Sequence, residues 1–364
     1  MKKTLIALAL TALPVAAMAD VVLYGQIKAG VEVSQSKNKN GSDNVKSATA
    51  TEIADFGSRI GFKGKENLAD GLDAIWQVES RVSVDGNKNR GFGTRDSFIG
   101  LEGGFGKVRA GYISTPLNNM GTIDTWEYSN NALGLGIFTR TGSRVVSARY
   151  DTPSFGGFSA SVQYTPRDNA NPSDKYTKEV AGRDAYYAGL NFANSGVFAQ
   201  YGFGFKKNNV ERAANTYAKG KDGYAHRLEA GYDANNLFVG LGAQYTKNWD
   251  TAGSYAKAVY NDDNAVVTGG SADAGVKTLE AAATVGYRFG NVTPKLSYAH
   301  GWKAKASEGG EKLNGSQYKQ VVLGADYDFS KRTTAFAQAG WLKTGSGDNK
   351  RDETAGLVGL RHKF

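Results

Sequence analysis

The sequence predicts an all-β chain: a transmembrane antiparallel β-barrel of 16 strands, with short periplasmic turns, long extracellular loops and one long loop folded into the lumen. Three observations predict it. Apolar residues recur at every second position in segment after segment, which gives each segment one apolar and one polar face. Connections alternate between tight and long, the habit of membrane barrels. The mature chain has no apolar run long enough to cross a bilayer as a helix, which needs about 20 residues.

Composition agrees. The chain of 364 residues holds 47 Gly, 19 Tyr and 17 Phe but only 6 Pro and no Cys, with a net charge of +9 and a mean hydropathy of −0.43. Abundant Gly and aromatics with little Pro suit many paired strands and exclude disorder. An exported fold without cysteine must be stable without disulfides.

Residues 1–19 read as a secretory signal peptide. Lys2 and Lys3 form its basic start, Leu5 to Leu13 its apolar core, and Ala17-Met18-Ala19 a small-x-small site that predicts cleavage before Asp20. Residues 20–364 then form one barrel, with candidate strands starting near 20, 53, 72, 94, 107, 144, 157, 184, 196, 225, 237, 277, 291, 317, 333 and 353. Val21, Leu23, Ile27, Ala29, Val31 and Val33 alternate with Tyr24, Gln26, Lys28 and Glu32. Leu72, Ala74, Trp76 and Val78 alternate with Asp73, Gln77 and Glu79. Leu279, Ala281, Ala283, Val285, Tyr287 and Phe289 oppose Glu280, Thr284 and Arg288. In the last segment Gly356, Val358, Leu360, His362 and Phe364 share a face, opposite Leu357, Gly359, Arg361 and Lys363.

Alternation alone also fits a soluble sandwich, and the aromatics separate the two. Tyr112, Tyr150, Tyr164, Phe192, Phe289, Tyr327 and Phe329 fall at or near strand ends on the apolar register, where a barrel meets the two membrane interfaces. Tight turns at 194–196, 234–236, 290–291 and 331–332 face long connections at 34–52, 114–143, 167–183, 208–224, 249–276, 304–316 and 344–352. A barrel of 16 strands is too wide for its own side chains to fill, so it encloses water through which small hydrophilic solutes and ions can diffuse.

Residues 114–143 are the candidate constriction. Leu117, Met120, Ile123, Trp126, Leu133, Leu135, Ile137 and Phe138 would expose apolar surface on an external loop and are covered if the segment folds inward. The segment carries Asp124, Glu127 and Arg140, with Arg144 at its exit. Nothing points to catalysis, a cofactor or a metal. His226, His300 and His362 are scattered without ligand spacing, no Ser/His/acid set presents itself, and Gly103-Gly104-Phe105-Gly106 lacks the Lys-Ser/Thr of a phosphate loop and reads as a turn. The basic residues are spread over strands rather than clustered, which argues against nucleic acid.

Several segments carry a family resemblance. They are Asp20-Val21-Val22-Leu23-Tyr24-Gly25, Ser58-Arg59-Ile60-Gly61-Phe62-Lys63-Gly64, Ala74-Ile75-Trp76-Gln77-Val78-Glu79, Ser97-Phe98-Ile99-Gly100-Leu101, Tyr287-Arg288-Phe289-Gly290-Asn291-Val292-Thr293-Pro294 and Gly359-Leu360-Arg361-His362-Lys363-Phe364. With these the chain resembles the trimeric general porins of β-proteobacteria, most of all the neisserial ones. The resemblance implies an outer-membrane homotrimer in contact with lipid and lipopolysaccharide, a third loop inside the lumen, Phe364 read by the barrel-assembly machinery, and often a preference for anions. The chain departs from the family at Gly111-Tyr112, where many members have Gly-Arg, and at Asn118-Asn119, where many have a basic residue.

On the alternation, the inward basic residues are Lys28, Arg59, Lys63, Arg81, Arg109, Arg149, Arg288 and Lys295, and the inward acids include Glu32, Asp73, Glu79, Glu229 and Glu280. A basic wall opposite an acidic loop sets a transverse field, and cationic lining favours anions. The expectation is a modest anion preference resting on Arg59, Arg81, Arg109 and Arg149. Two alternatives remain open: a substrate-specific channel, or a surface adhesin that uses the long loops.

Overall fold

The computed structural model describes residues 21–86, 91–210, 219–260, 262, 265 and 271–364. The expected signal peptide at 1–19, and the middles of the connections at 208–224 and 249–276, lie outside the described residues.

The wall is built of β1 (Val22–Asn40), β2 in two pieces (Ala50–Asp55 and Arg59–Ala69), β3 (Leu72–Arg81), β4 (Ser97–Gly103), β5 (Gly106–Ser114) and β6 (Arg144–Asp151). It continues through β7 (Phe158–Thr165), β8 (Ala185–Asn194), β9 (Val197–Val210), β10 (Lys221–Ala234) and β11 (Leu237–Thr251). It is completed by β12 (Gly275–Tyr287), β13 (Val292–Gly301), β14 (Tyr318–Asp328), β15 (Thr333–Ser346) and β16 (Asn349–Lys363). Each strand pairs antiparallel with the next, and β16 returns to β1 from Gln26↔Lys363 to Asn40↔Asn349, closing a barrel of 16 strands. Closure leaves no edge, so every backbone group in the bilayer finds a partner.

The side-chain pattern is inverted relative to a soluble protein. Leu241, Leu279 and Leu323 are 60%, 48% and 55% exposed, whereas Gln244, Glu280 and Gln320 on the other face are covered. An apolar outer face is at home in lipid, and the polar inner face meets water or the inserted loop. Aromatic pairs ring the short-turn end, with Phe158–Phe192, Tyr287–Phe289 and Tyr327–Phe329 centroids 4.5, 4.6 and 4.9 Å apart. A second set, Tyr164–Tyr186–Phe205–Tyr224, marks the long-loop end. His362, on the lipid-facing register, is held by Thr333 Oγ1 at 2.9 Å.

Turn chemistry explains the tight rim. Asn235 and Asn236 both adopt positive φ, 53° and 67°, as a two-residue type I′ hairpin requires. At the opposite end strands run on past the membrane: β1 has 19 residues against the about 9–11 that span a bilayer. Alternation fades near residue 34, where both faces are wet, so the sequence predicts a shorter β1. The sequence also predicts a strand start near 94, whereas pairing begins at Ser97, after a bend that carries Arg95 and Asp96. The break in β2 falls at Gly57, at φ 92°. There Asp55 Oδ1 accepts from the Gly57 and Ser58 amides, and Phe56 N bonds Lys28 O.

Candidate functional site: the inserted loop and the lumen wall

Residues 115–143 fold onto the inner wall. A helical turn (Pro116–Asn119) is capped by Thr115, whose side chain accepts from Asn118 N. A 3-10 turn (Asn131–Leu133) and a second helical turn (Gly136–Thr139) follow. Leu117, Ile123, Leu133, Leu135 and Phe138 are fully covered. The wall makes room with glycine. A Cβ on Gly202 would lie 2.6 Å from Met120 Sδ, and one on Gly242 would lie 2.6 Å from Ile123 Cδ1. These inward glycines are functional residues the sequence reading missed. Their signal was present as Gly at alternate positions of β9 and β11, but only the path of the loop gives it meaning.

Polar contacts complete the seating. Glu229 Oε2 accepts from the Gly121 and Ile123 amides at 3.1 and 3.4 Å. Trp126 Nε1 donates to Ser297 Oγ, Gln320 Nε2 to the Asn131 and Gly134 carbonyls, and Gln338 Nε2 to the Glu127 and Leu133 carbonyls. Arg227 and Glu229 form an ion pair at 3.0 Å with both side chains fully covered. Such a pair need not stabilise the fold, but removing one partner strands a charge.

The expected field of basic wall against acidic loop needs correction. Glu127 does not face an opposite wall: Lys28 Nζ and Arg361 Nη1 hold its two oxygens at 2.5 and 2.8 Å. Asp124 turns into the loop, accepting from Tyr128 Oη at 2.7 Å and Leu135 N at 3.2 Å. Burial pushes Asp124 up to about 6, against those two hydrogen bonds. Arg140 is also committed, bonding Glu280, Asp250 and Thr278 and lying 4.8 Å over the Tyr255 ring. Arg144 bonds Asp96 at 2.7 Å.

The wall cations divide as well. Arg149 is only 6% exposed and braces the loop root, donating to Ser114 O and Asp151, so it is not a lumen-facing charge. Arg109 shares Asp151 with it at 2.6 Å and stacks on Phe98. Lys295 reaches Thr125 O and Asp326. Arg59 and Arg81, directly paired across β2 and β3, stay accessible. Arg59 has a loose contact with Glu79 at 3.6 Å, while Arg95 takes the shorter one. Lys63 is exposed, 5.4 Å from the Tyr24 ring. Arg288 is exposed at the short-turn rim. Among the described residues, no hydrogen bond joins 116–142 to 59–103, so the loop crosses β8 to β16 and β1 and leaves the β2–β4 arc open.

A second segment also turns inward. The helix Ala252–Tyr260 buries Tyr255, Ala256 and Val259, and Thr344 Oγ1 donates to Val259 O at 3.1 Å. The sequence predicts a long polar loop over 249–276. The helix's four buried residues, Ala252, Tyr255, Ala256 and Val259, follow the i, i+3, i+4, i+7 spacing of one helix face, but the run is only nine residues long within a polar connection. Phe364 closes the wall: its amide and carbonyl exchange 3.1 Å bonds with Gly25, and its ring is 42% exposed.

The comparisons agree with this geometry. The Gram-negative porin family matches residues 28–364. A major outer membrane protein P.IB of Neisseria sicca is 53% identical, with all of both chains covered. One from Neisseria meningitidis serogroup B is 47% identical over the same full coverage. Among solved structures, an anion-selective porin from Comamonas acidovorans has a TM-score of 0.66 at 21% identity, covering 95% of this chain and 100% of its own. OmpF of Salmonella typhi has a TM-score of 0.66 at 20% identity, covering 95% and 98%. The chain belongs to the Gram-negative porin family and is an integral outer-membrane β-barrel that acts as a general diffusion porin.

Proposed function

We propose that this porin passes small hydrophilic solutes and ions with a modest preference for anions, set by the open β2–β4 arc. The observation that carries the reading is the asymmetry of free charge. Glu127 and Asp124 are held by Lys28, Arg361, Tyr128 and Leu135, while Arg59, Lys63 and Arg81 keep accessible heads. Water and salt screen such charges over about 8 Å at physiological ionic strength, so they bias passage without excluding cations. Arg109 and Arg149 drop out of the selectivity set because Asp151 takes both.

The reading extends to assembly. Removal of residues 1–19 leaves 20–364 as a single barrel, three copies of which form the working unit. The exposed Phe364 ring on the closing strand is the mark by which the assembly machinery takes up the chain. The apolar outer wall contacts outer-membrane lipid and lipopolysaccharide. Reversal potentials across a salt gradient in planar bilayers test the selectivity, with an anion-selective sign expected. A cation-selective sign overturns the preference, and the absence of stepwise conductance overturns the channel.

A further inference from the structure

The helix Ala252–Tyr260 meets the inserted loop at its last limb. The helical turn Gly136–Thr139 has no side-chain cap at Leu135, and Arg140 at its end is the main polar tie of this limb to the wall. Arg140 Nε donates to Asp250 Oδ2 at 3.1 Å, Nη2 to Thr278 Oγ1 at 2.9 Å and Nη1 to both oxygens of Glu280 at 2.5 Å. The Arg140 side chain keeps 8% exposure and that of Glu280 none. Such a pair holds firmly only while water is kept from it. The face of the guanidinium is covered by the Tyr255 ring, 4.8 Å away. Tyr255 is fully buried, yet its hydroxyl has no hydrogen-bond partner among the described residues. A buried hydroxyl without a partner is a cost, so the ring is what Tyr255 contributes.

The helix is fastened at both ends. At its start Thr251 and Ser254 cap each other, with Ser254 N donating to Thr251 Oγ1 at 3.1 Å and Thr251 N to Ser254 Oγ at 2.9 Å. At its end Thr344 Oγ1 of β15 donates to Val259 O at 3.1 Å, and Tyr260 Oη donates to Asn349 Oδ1 of β16 at 3.4 Å. Asn131 Nδ2 of the inserted loop reaches Ala258 O at 3.5 Å. Tyr255, Ala256 and Val259 share one apolar core with Leu133, Ile137 and Phe138 of that loop. Ser254 and Lys257, on the other side of the helix, are exposed. The helix therefore bridges β11 to β15 and β16 over the seated loop. Nine residues are too few to hold a helix in water alone, so helix and loop stay seated together or loosen together.

We propose that this helix is a strap that fixes the conducting width, with Tyr255 as the positioning residue. Its ring keeps water from the Arg140–Glu280 pair and so holds the 136–143 limb of the inserted loop on β12. The strap sets the width and steadiness of the channel, and its role does not depend on the sign of the selectivity.

Single-channel recording of the full barrel in planar bilayers tests the strap with three variants. Tyr255→Leu keeps the core apolar but takes the flat ring off the guanidinium. Its steady open level should break into fluctuating sublevels with a higher mean conductance. Tyr255→Phe keeps the ring and should record as wild type. Thr344→Val frees the far end of the helix without touching Arg140 and should show the same flicker more weakly. Reversal potentials should keep the wild-type sign throughout, and heat-modifiable migration reports that each variant is a folded barrel. A residue that only stabilises the fold would lower the unfolding temperature and leave the open level alone. A wild-type record from folded Tyr255→Leu therefore overturns the strap, and flicker in Tyr255→Phe equal to that of the Leu variant overturns the role of the ring. If Tyr255→Leu does not fold, Thr344→Val decides, and a wild-type record from it overturns the strap.

Discussion

On the inward face of β10 to β16 the cations that meet the loop are paired, Arg227 with Glu229, Lys295 with Asp326 and Arg361 with Glu127, whereas β2 and β3 present Arg59, Lys63 and Arg81 with accessible heads. The first arc lies under the inserted loop and the second faces the open lumen. Where the loop excludes water, each charge must have a partner, and Arg227–Glu229 and Arg140–Glu280 are paired with little or no exposure. Where water remains, arginines can stand nearly alone, because solvation replaces the partner. One barrel thus separates anchoring charge from conducting charge by covering one arc and leaving the other wet.

The comparison breaks first at the anchor. Arg227→Ala leaves Glu229 covered and unpaired and should cost roughly 3–5 kcal/mol. Thermal unfolding in detergent reads the loss, and noisy or enlarged single-channel conductance reads a loosened loop. A smaller effect is expected at the packing face. Gly242→Ala places a Cβ 2.6 Å from Ile123 Cδ1, and overpacking of this kind costs about 1–3 kcal/mol. Unfolding should begin earlier while ion selectivity stays unchanged.

On the open arc the order of effects reverses. Arg59→Gln and Arg81→Gln should barely change stability but should shift reversal potentials toward cations. A charge about 8 Å from a passing ion in water contributes about 0.5 kcal/mol, roughly twofold in relative permeability per charge. Arg149→Gln, by contrast, should disturb the loop root and leave selectivity nearly unchanged. If Arg149 moves the reversal potential as far as Arg81 does, the division between the arcs fails.

The smallest effect concerns Asp124. Its folded value of about 6 lies above the ordinary Asp value of about 3.9. Its favourable contribution is therefore complete below about pH 4 and is lost as pH rises through about 6. The barrel should gain thermal stability between neutral and acid pH from this group, and Asp124→Asn should remove that part of the gain. An unchanged pH difference in the variant would assign it to other carboxylates.

The fold was legible because its code is local. A period of two, tight Asn-Asn and Gly turns and aromatic strand ends are each contained within about ten residues, and they place 16 strands whatever the loops do. The loop at 114–143 was legible for the same reason, since its apolar side chains needed cover. The partners of its charges were not. Lys28 meets Glu127 across 99 positions and Arg361 meets it across 234, and no pattern in either strand announces the contact. The sequence by itself determined which face of each strand is polar and that one loop must turn inward. Only the tertiary structure decided which arc that loop covers, and so which inward charges are neutralised and which remain to act on an ion. Strand faces follow from neighbouring residues, whereas the covering of a charge depends on packing between segments far apart in the chain.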